Sequence, residues 1–162
     1  GSGTGMLARC LRDVLGPTTL LDASPAMVEV ASKALASEGL GDWSAAVADL
    51  SEGIPGGPYE LALAQMFLHH VDDVPALLRA LRRAMTPGGV VVIADLDHDA
   101  AKRYHATAVD FHGHHGFCRG ELRGWLEEAG YRDVCFHDAG VVGKEVDGER
   151  QDFPMFLAVA KA

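Results

Sequence analysis

Short apolar runs alternate along the chain with apolar stripes of helical period. Leu7, Cys10, Leu11, Val14 and Leu15 recur at helical spacing behind a glycine-rich start. Gly16-Pro17 stops that helix, and Thr18 to Leu21 reads as a short buried strand ending at Asp22. Ser24-Pro25 pairs a hydroxyl N-cap with proline at the first helical position, and the helix runs through Met27, Val30, Ala31, Ala34 and Leu35 to Gly39. Trp43 to Ala48 is a second short strand, ending at Asp49, and Tyr59 to Met66 a third, after the Gly/Pro stretch Gly53 to Pro58. Beyond His69-His70, the segment Asp72-Asp73-Val74-Pro75 starts a helix striped by Leu77, Leu78, Leu81, Ala84 and Met85. Thr86-Pro87-Gly88-Gly89 ends it, and Val90 to Ala94 forms a β-branched strand closed by Asp95. Leu122, Trp125, Leu126 and Ala129 mark a late helix stopped by Gly130. Val134 to Phe136 and Phe153 to Val159 are the last strands, antiparallel neighbours across a polar segment with a turn signal at Asp147-Gly148.

Strand and helix thus alternate until a terminal hairpin breaks the pattern. This predicts an α/β chain with a mainly parallel sheet and helices on both faces, read as one domain over residues 1–162. Ligands of such sheets bind beyond the carboxyl ends of the strands. That rule singles out Gly1 to Gly5, Asp22, Asp49, Gln65 to His70 and Asp95 to His98.

Composition narrows the function classes. Apolar residues make up 48% of the chain, too many for disorder, yet no run is long enough to span a bilayer. The net charge of −9 argues against gripping a nucleic-acid backbone or an anionic lipid surface. Cys10, Cys118 and Cys135 form no C-x-x-C pair, so each is expected as a small, mostly buried hydrophobe, in a reducing cytoplasm. No metal centre is expected.

A glycine turn that opens a helix lets a ligand approach backbone N–H groups, because no β-carbon stands in the way. An acid at the end of the next strand can accept from both hydroxyls of a ribose, and an acid after the following strand can accept from an adenine amine. Gly1-Ser2-Gly3-Thr4-Gly5, Asp22 and Asp49 supply that ordered series. With Leu21-Asp22-Ala23-Ser24-Pro25-Ala26-Met27, Leu68-His69-His70-Val71-Asp72-Asp73 and Leu81 to Gly89, the chain resembles the class I S-adenosylmethionine-dependent methyltransferases of the small, soluble bacterial type.

The resemblance implies a Rossmann-like sheet with a C-terminal antiparallel hairpin and S-adenosylmethionine as cofactor, released as S-adenosylhomocysteine. It implies that Gly1, Ser2, Gly3 and Gly5 face the methionine moiety and that Asp22 and Ala23 meet the ribose. Met27 would lie near the adenine ring, Asp49 and Leu50 at its edge, and Gln65 and Met66 at the amino-acid end. It also places an apolar strand directly before the first glycine, at the sheet centre. No residue precedes Gly1 in the sequence, so an N-terminally truncated chain lacking that central strand is expected. The alternatives are a vector-derived Gly1-Ser2, or a short form whose gap a partner chain closes as a homodimer.

Methyl transfer from a sulfonium mainly requires alignment of the acceptor, and a hydroxyl or thiol acceptor also requires a base. His98, His105, His112, His114 and His115 lie between the fifth strand of the resembling fold and the late helix. His98, His105 and His112 are spaced by seven, so on a helix they would share one face, too far apart for a common metal. His70 and His115 are the candidate bases toward a small-molecule acceptor. Competing readings are a nicotinamide-dependent oxidoreductase using the same glycine turn and a non-catalytic scaffold that keeps the fold.

Overall fold

The computed structural model describes residues 1–99, 102–106 and 110–162. The chain divides into two compact units, Gly1–Pro55 and Gly56–Ala162. Among the described residues no helix is long and apolar enough to cross a membrane.

The first unit contains α1 (Met6–Cys10), β1 (Thr19–Asp22), α2 (Pro25–Ser37) and β2 (Ser44–Val47), in that order. The strands pair in parallel, with Leu20 opposite Ala45 and Asp22 opposite Val47. The α2 cap is the one expected: the Ser24 hydroxyl accepts from the Met27 N–H and Pro25 takes the first turn. Leu20, Ala31, Leu35 and Trp43 form the core of this unit. The stripe from Leu7 to Leu15 does not make the long amphipathic helix expected of it. Gly5 enters α1 in a left-handed conformation, the helix lasts five residues, and none of them is buried. Val14 lies beyond it at 79% exposure.

The second unit holds β3 (Tyr59–Gln65), a 3₁₀ turn (Leu68–His70), α3 (Val74–Arg83), β4 (Met85–Leu96), α4 (Arg119–Glu128), β5 (Arg132–Val146) and β6 (Glu149–Lys161). Its sheet order is β3-β4-β6-β5. β3 and β4 are parallel, as a strand–helix–strand crossover demands, whereas β4–β6 and β6–β5 are antiparallel. The mixed α/β class with a closing hairpin therefore holds. β4, β5 and β6 are longer than the apolar runs that signalled them. β4 starts at Met85, through the Thr86-Pro87-Gly88-Gly89 segment read as a turn, because a register shift between Tyr59 and Leu61 absorbs the irregular backbone. β5 and β6 run to the Asp147-Gly148 turn. Most β5 side chains are exposed, so the ladder to β6 rather than burial defines that strand.

The cysteines correct the sequence reading: Cys10, Cys118 and Cys135 are all exposed. Cys10 ends a helix with no buried face, and Cys118 occupies the N-cap of α4. His98, His105 and His112 are not on a helix and share no helical face.

Candidate functional site

The glycine turn of the first unit is stitched to the carboxyl end of β1. Both Gly1 N and the Ser2 N–H donate to the Leu21 carbonyl at 2.8 Å, and the Gly3 N–H donates to Asp22 Oδ2 at 2.7 Å. Asp22 Oδ1 accepts from the Ser24 N–H at 2.9 Å, so one carboxylate organises both the turn and the start of α2. Burial pushes the Asp22 carboxyl up, but the Ser24 and Gly3 N–H groups outweigh it and hold the group below the usual carboxylate range. Asp49 is exposed, and its Oδ1 accepts from the Ser51 N–H at 2.9 Å and the Ser51 hydroxyl at 2.7 Å. Those bonds lower its pKa, with the hydroxyl dominant.

Three observations bear on whether this cradle suits a nucleotide-like cofactor. A β-carbon on Gly3 would meet nothing within 4 Å, so open space stands over the turn. A β-carbon on Gly5 would come within 2.4 Å of Leu20 Cδ1, at a φ of +73° that L side chains rarely adopt. Ser2 Oγ is buried with no hydrogen-bond partner. An open glycine turn, a buried hydroxyl awaiting a partner and two ionised strand-end carboxylates fit a polar ligand carrying hydroxyl and amine groups. Ala23 and Met27 are exposed, Met27 at 43%, and Leu50 is half-buried.

In the second unit, Gln65 ends β3 and Met66 follows with a positive φ of 50°, its N–H donating to the Ala94 carbonyl at 2.8 Å. The chain then turns into His69 and His70. His69 is 2% exposed and Asp95, on β4, is fully buried. His69 Nδ1 stands 2.7 Å from Asp95 Oδ1, and the same carboxylate accepts from the main-chain N–H groups of His69 and Leu96 at 3.3 and 2.8 Å. Around this pair the rings gather. The His69 centroid lies 4.1 Å from that of His70 and 5.2 Å from that of His105. His105 stacks on Phe111 at 3.6 Å, and His115 stands 5.5 Å from His105. Tyr104 closes one side, with the Lys144 ammonium 4.7 Å above its ring.

Main-chain bonds hold the 110–117 segment against this cluster. The His114 N–H donates to the His69 carbonyl at 2.8 Å, the Asp99 N–H to His115 at 2.8 Å, and the Phe117 N–H to Leu96 at 2.9 Å. Arg119 forks onto Asp97, Nε to Oδ1 and Nη2 to Oδ2, both at 2.7 Å, and its Nη2 also reaches Asp138 at 2.8 Å. Burial lowers the pKa of His70, with the neighbouring His69 adding to it. Burial, then His69 and His115, push His105 down to about 4, and His115 is lowered chiefly by burial. The neutral form of His70, His105 and His115 is thereby favoured. Among the described residues, nothing hydrogen-bonds the buried His105 Nδ1 or His115 Nδ1. A cavity of about 240 Å³, smaller than the ~300–1,000 Å³ usual for ligand pockets, is lined among others by Asp97, His98, Asp99, Tyr104 and Phe153, and of the ring cluster only Tyr104 reaches it.

Of the two histidines singled out as bases, His70 is exposed beside the buried His69, and His115 is half-buried with its unpaired Nδ1. His105 had been grouped with other spaced histidines; folding brings it between the two. Asp95 was singled out by its place after a strand, whereas Tyr104 and Phe111 completed the cluster without any signal in the sequence. Among the described residues no group of three or more His, Cys, Asp or Glu side chains is arranged to hold a metal ion.

The alternating strands and helices and the closing hairpin define a Rossmann-like α/β protein. The family described as a methyltransferase domain matches residues 1–135, and the chain belongs to it, within the class I S-adenosylmethionine-dependent methyltransferases. A ubiquinone biosynthesis O-methyltransferase of Caulobacter vibrioides is 30% identical over 100 residues, covering 60% of this chain and 39% of its own length. A malonyl-[acyl-carrier protein] O-methyltransferase of Serratia marcescens is 30% identical over 98 residues, covering 59% and 36%. The chain thus spans well under half of the first of these relatives. Among solved structures, the YcgJ protein of Bacillus subtilis shares the fold at a TM-score of 0.79 and 14% identity, covering 99% of this chain and 88% of that one. A phosphoethanolamine N-methyltransferase of Haemonchus contortus, solved with S-adenosyl-L-methionine, does so at 0.80 and 17%, covering 99% and 47%.

Proposed function

We propose that the chain binds S-adenosylmethionine and serves methyl transfer to a small-molecule acceptor. The observation that carries this is the Asp22 carboxylate gripping the glycine turn through Gly3 while Asp49 follows two residues after the end of the next parallel strand. In this reading Gly1, Ser2, Gly3 and Gly5 line the methionine part, with Ser2 Oγ supplying a hydrogen bond. Asp22 and Ala23 take the ribose, Met27 packs on the adenine, Asp49 accepts its amine and Leu50 offers an N–H. Gln65 and Met66 keep the amino-acid-end role that the resemblance gives them. When bound, the sulfonium supplies an electrophilic methyl group.

The protein's own contribution is to orient the acceptor, exclude water and remove a proton. His70 and His115, whose neutral form is favoured, can accept that proton from a hydroxyl. The two O-methyltransferases among the relatives support an oxygen acceptor. Isothermal calorimetry with S-adenosylhomocysteine tests the reading. Micromolar binding, with no thermal stabilisation by NADH, is expected; no heat at millimolar ligand would sink it, and stabilisation by NADH alone would favour an oxidoreductase.

A further inference from the structure

Among the described residues three polar side chains are classed as buried, His69, Asp95 and His105, and they stand together. Burying polar groups is costly unless they are paired. Asp95 meets that cost with three donors, but His105 Nδ1 meets it with none among the described residues. A purely structural polar pocket would satisfy its own members first. An unpaired buried nitrogen beside a fully satisfied carboxylate is the pattern of a site whose remaining partner is a ligand.

His69 also touches the framework of each nearby imidazole. Its ring packs on His70 and His105, and its carbonyl accepts from His114, the residue before His115. Asp95 is bonded to both the ring and the main-chain N–H of His69, so it fixes the ring's rotation as well as its tautomer. All of this lies where β3 and β4 end, the side of a parallel pair at which ligands bind.

We propose that Asp95 and His69 are positioning residues of the acceptor site. The carboxylate keeps the His69 proton on Nδ1, and the ring so held orients His70 and His105 toward the acceptor's hydroxyl, while the His69 carbonyl holds the segment that carries His115. In the step they serve, the acceptor's O–H bond breaks, its electron pair stays on oxygen, and the proton joins the lone pair of an imidazole nitrogen. The imidazolium then returns the proton to water. The proposal rests on the methyltransferase reading above, and on an acceptor with a proton to lose.

Two measurements test it. Nitrogen-15 NMR of the histidine side chains should show the His69 proton held on Nδ1, the nitrogen that faces Asp95. Protonation at Nε2, or averaging between the two, would overturn the proposal, and this reading needs no variant. Asp95→Asn keeps the shape while removing the charge. It should redistribute the His69 proton and shift the His70 and His105 ring resonances. With an acceptor found by screening with labelled cofactor, it should lower kcat by about 10²-fold at an unchanged KM for S-adenosylmethionine. A folded Asp95→Asn protein with wild-type kcat and wild-type ring resonances would make the couple merely structural. Failure of the wild type to bind S-adenosylhomocysteine would overturn the methyltransferase reading, and the couple's role with it. Binding together with an Nε2-protonated His69 would overturn the couple alone.

Discussion

The carbonyl oxygen of His69 lies 2.1 Å from the point where a β-carbon on Gly113 would stand, and the neighbouring His114 N–H donates to that same oxygen at 2.8 Å. The backbone of the 110–117 segment can approach the 3₁₀ turn this closely only because residue 113 has no side chain. That approach sets Phe111 against His105 and brings His115 within reach of the same cluster. The glycine is thus a packing requirement for a cluster whose members are far apart in sequence.

Gly113→Ala should therefore cost stability. A backbone oxygen cannot step aside as a flexible side chain can, so the segment must lift and the His114 bond must lengthen. The overpacking penalty is about 1–3 kcal/mol, read as a lower urea midpoint at unchanged slope. The ring resonances of His105 should broaden at the same time.

Asp22→Asn tests the cofactor cradle. The amide keeps one acceptor for the Gly3 N–H but loses the charge and one of the two acceptor oxygens that now serve Gly3 and Ser24. Losing a charged acceptor costs about 1.5–3 kcal/mol, which corresponds to roughly 10- to 150-fold weaker S-adenosylhomocysteine binding by calorimetry. Affinity within twofold of wild type would remove Asp22 from the ribose role.

What the sequence disclosed follows from where local signals were strong. The Ser24-Pro25 cap, the Asp147-Gly148 turn and the acids closing β1 and β4 are short-range chemistry, and each appears where the residues announce it. The length of α1 was hidden because apolar spacing alone does not say whether a face finds something to bury against; Met6 remains 69% exposed. The extent of β5 beyond Val134 to Phe136 was hidden for the opposite reason, since an exposed strand held by its ladder need not alternate. The imidazole cluster was only half visible. His69 and His70 follow a strand end, but Asp95, His105 and Phe111 join them from separate segments, and no spacing rule relates positions that only folding brings together.

Arg119→Lys should weaken the junction between α4 and the end of β4. The guanidinium makes two parallel bonds to Asp97 and a third to Asp138, a fork that an ammonium cannot reproduce. These groups are partly exposed, so solvent screens the loss to about 1 kcal/mol. A fall in melting temperature of a few degrees is expected, shrinking in high salt, and unchanged stability would show that the fork is dispensable.

His105 should give the protein an acid-side weakness well above the carboxylate range. An ordinary histidine takes up its proton near pH 6.5, whereas burial and the neighbouring imidazoles push His105 in the folded chain to about 4. Between those values the unfolded chain binds more protons than the folded one, so stability rises with pH and acidification erodes it. The slope reaches at most about 1.4 kcal/mol per pH unit for a single group. His70 and His115, lowered in the same direction, add to it, while the lowered Asp22 and Asp49 contribute only at more acidic pH. His105→Phe keeps an aromatic ring against Phe111 and removes the titrating group. Urea midpoints at pH 7, 6 and 5 should then fall less steeply than in the wild type, and the variant should be the more stable of the two at pH 5. An identical slope in both proteins would mean that the His105 imidazole is solvated in solution and the stack on Phe111 is not maintained.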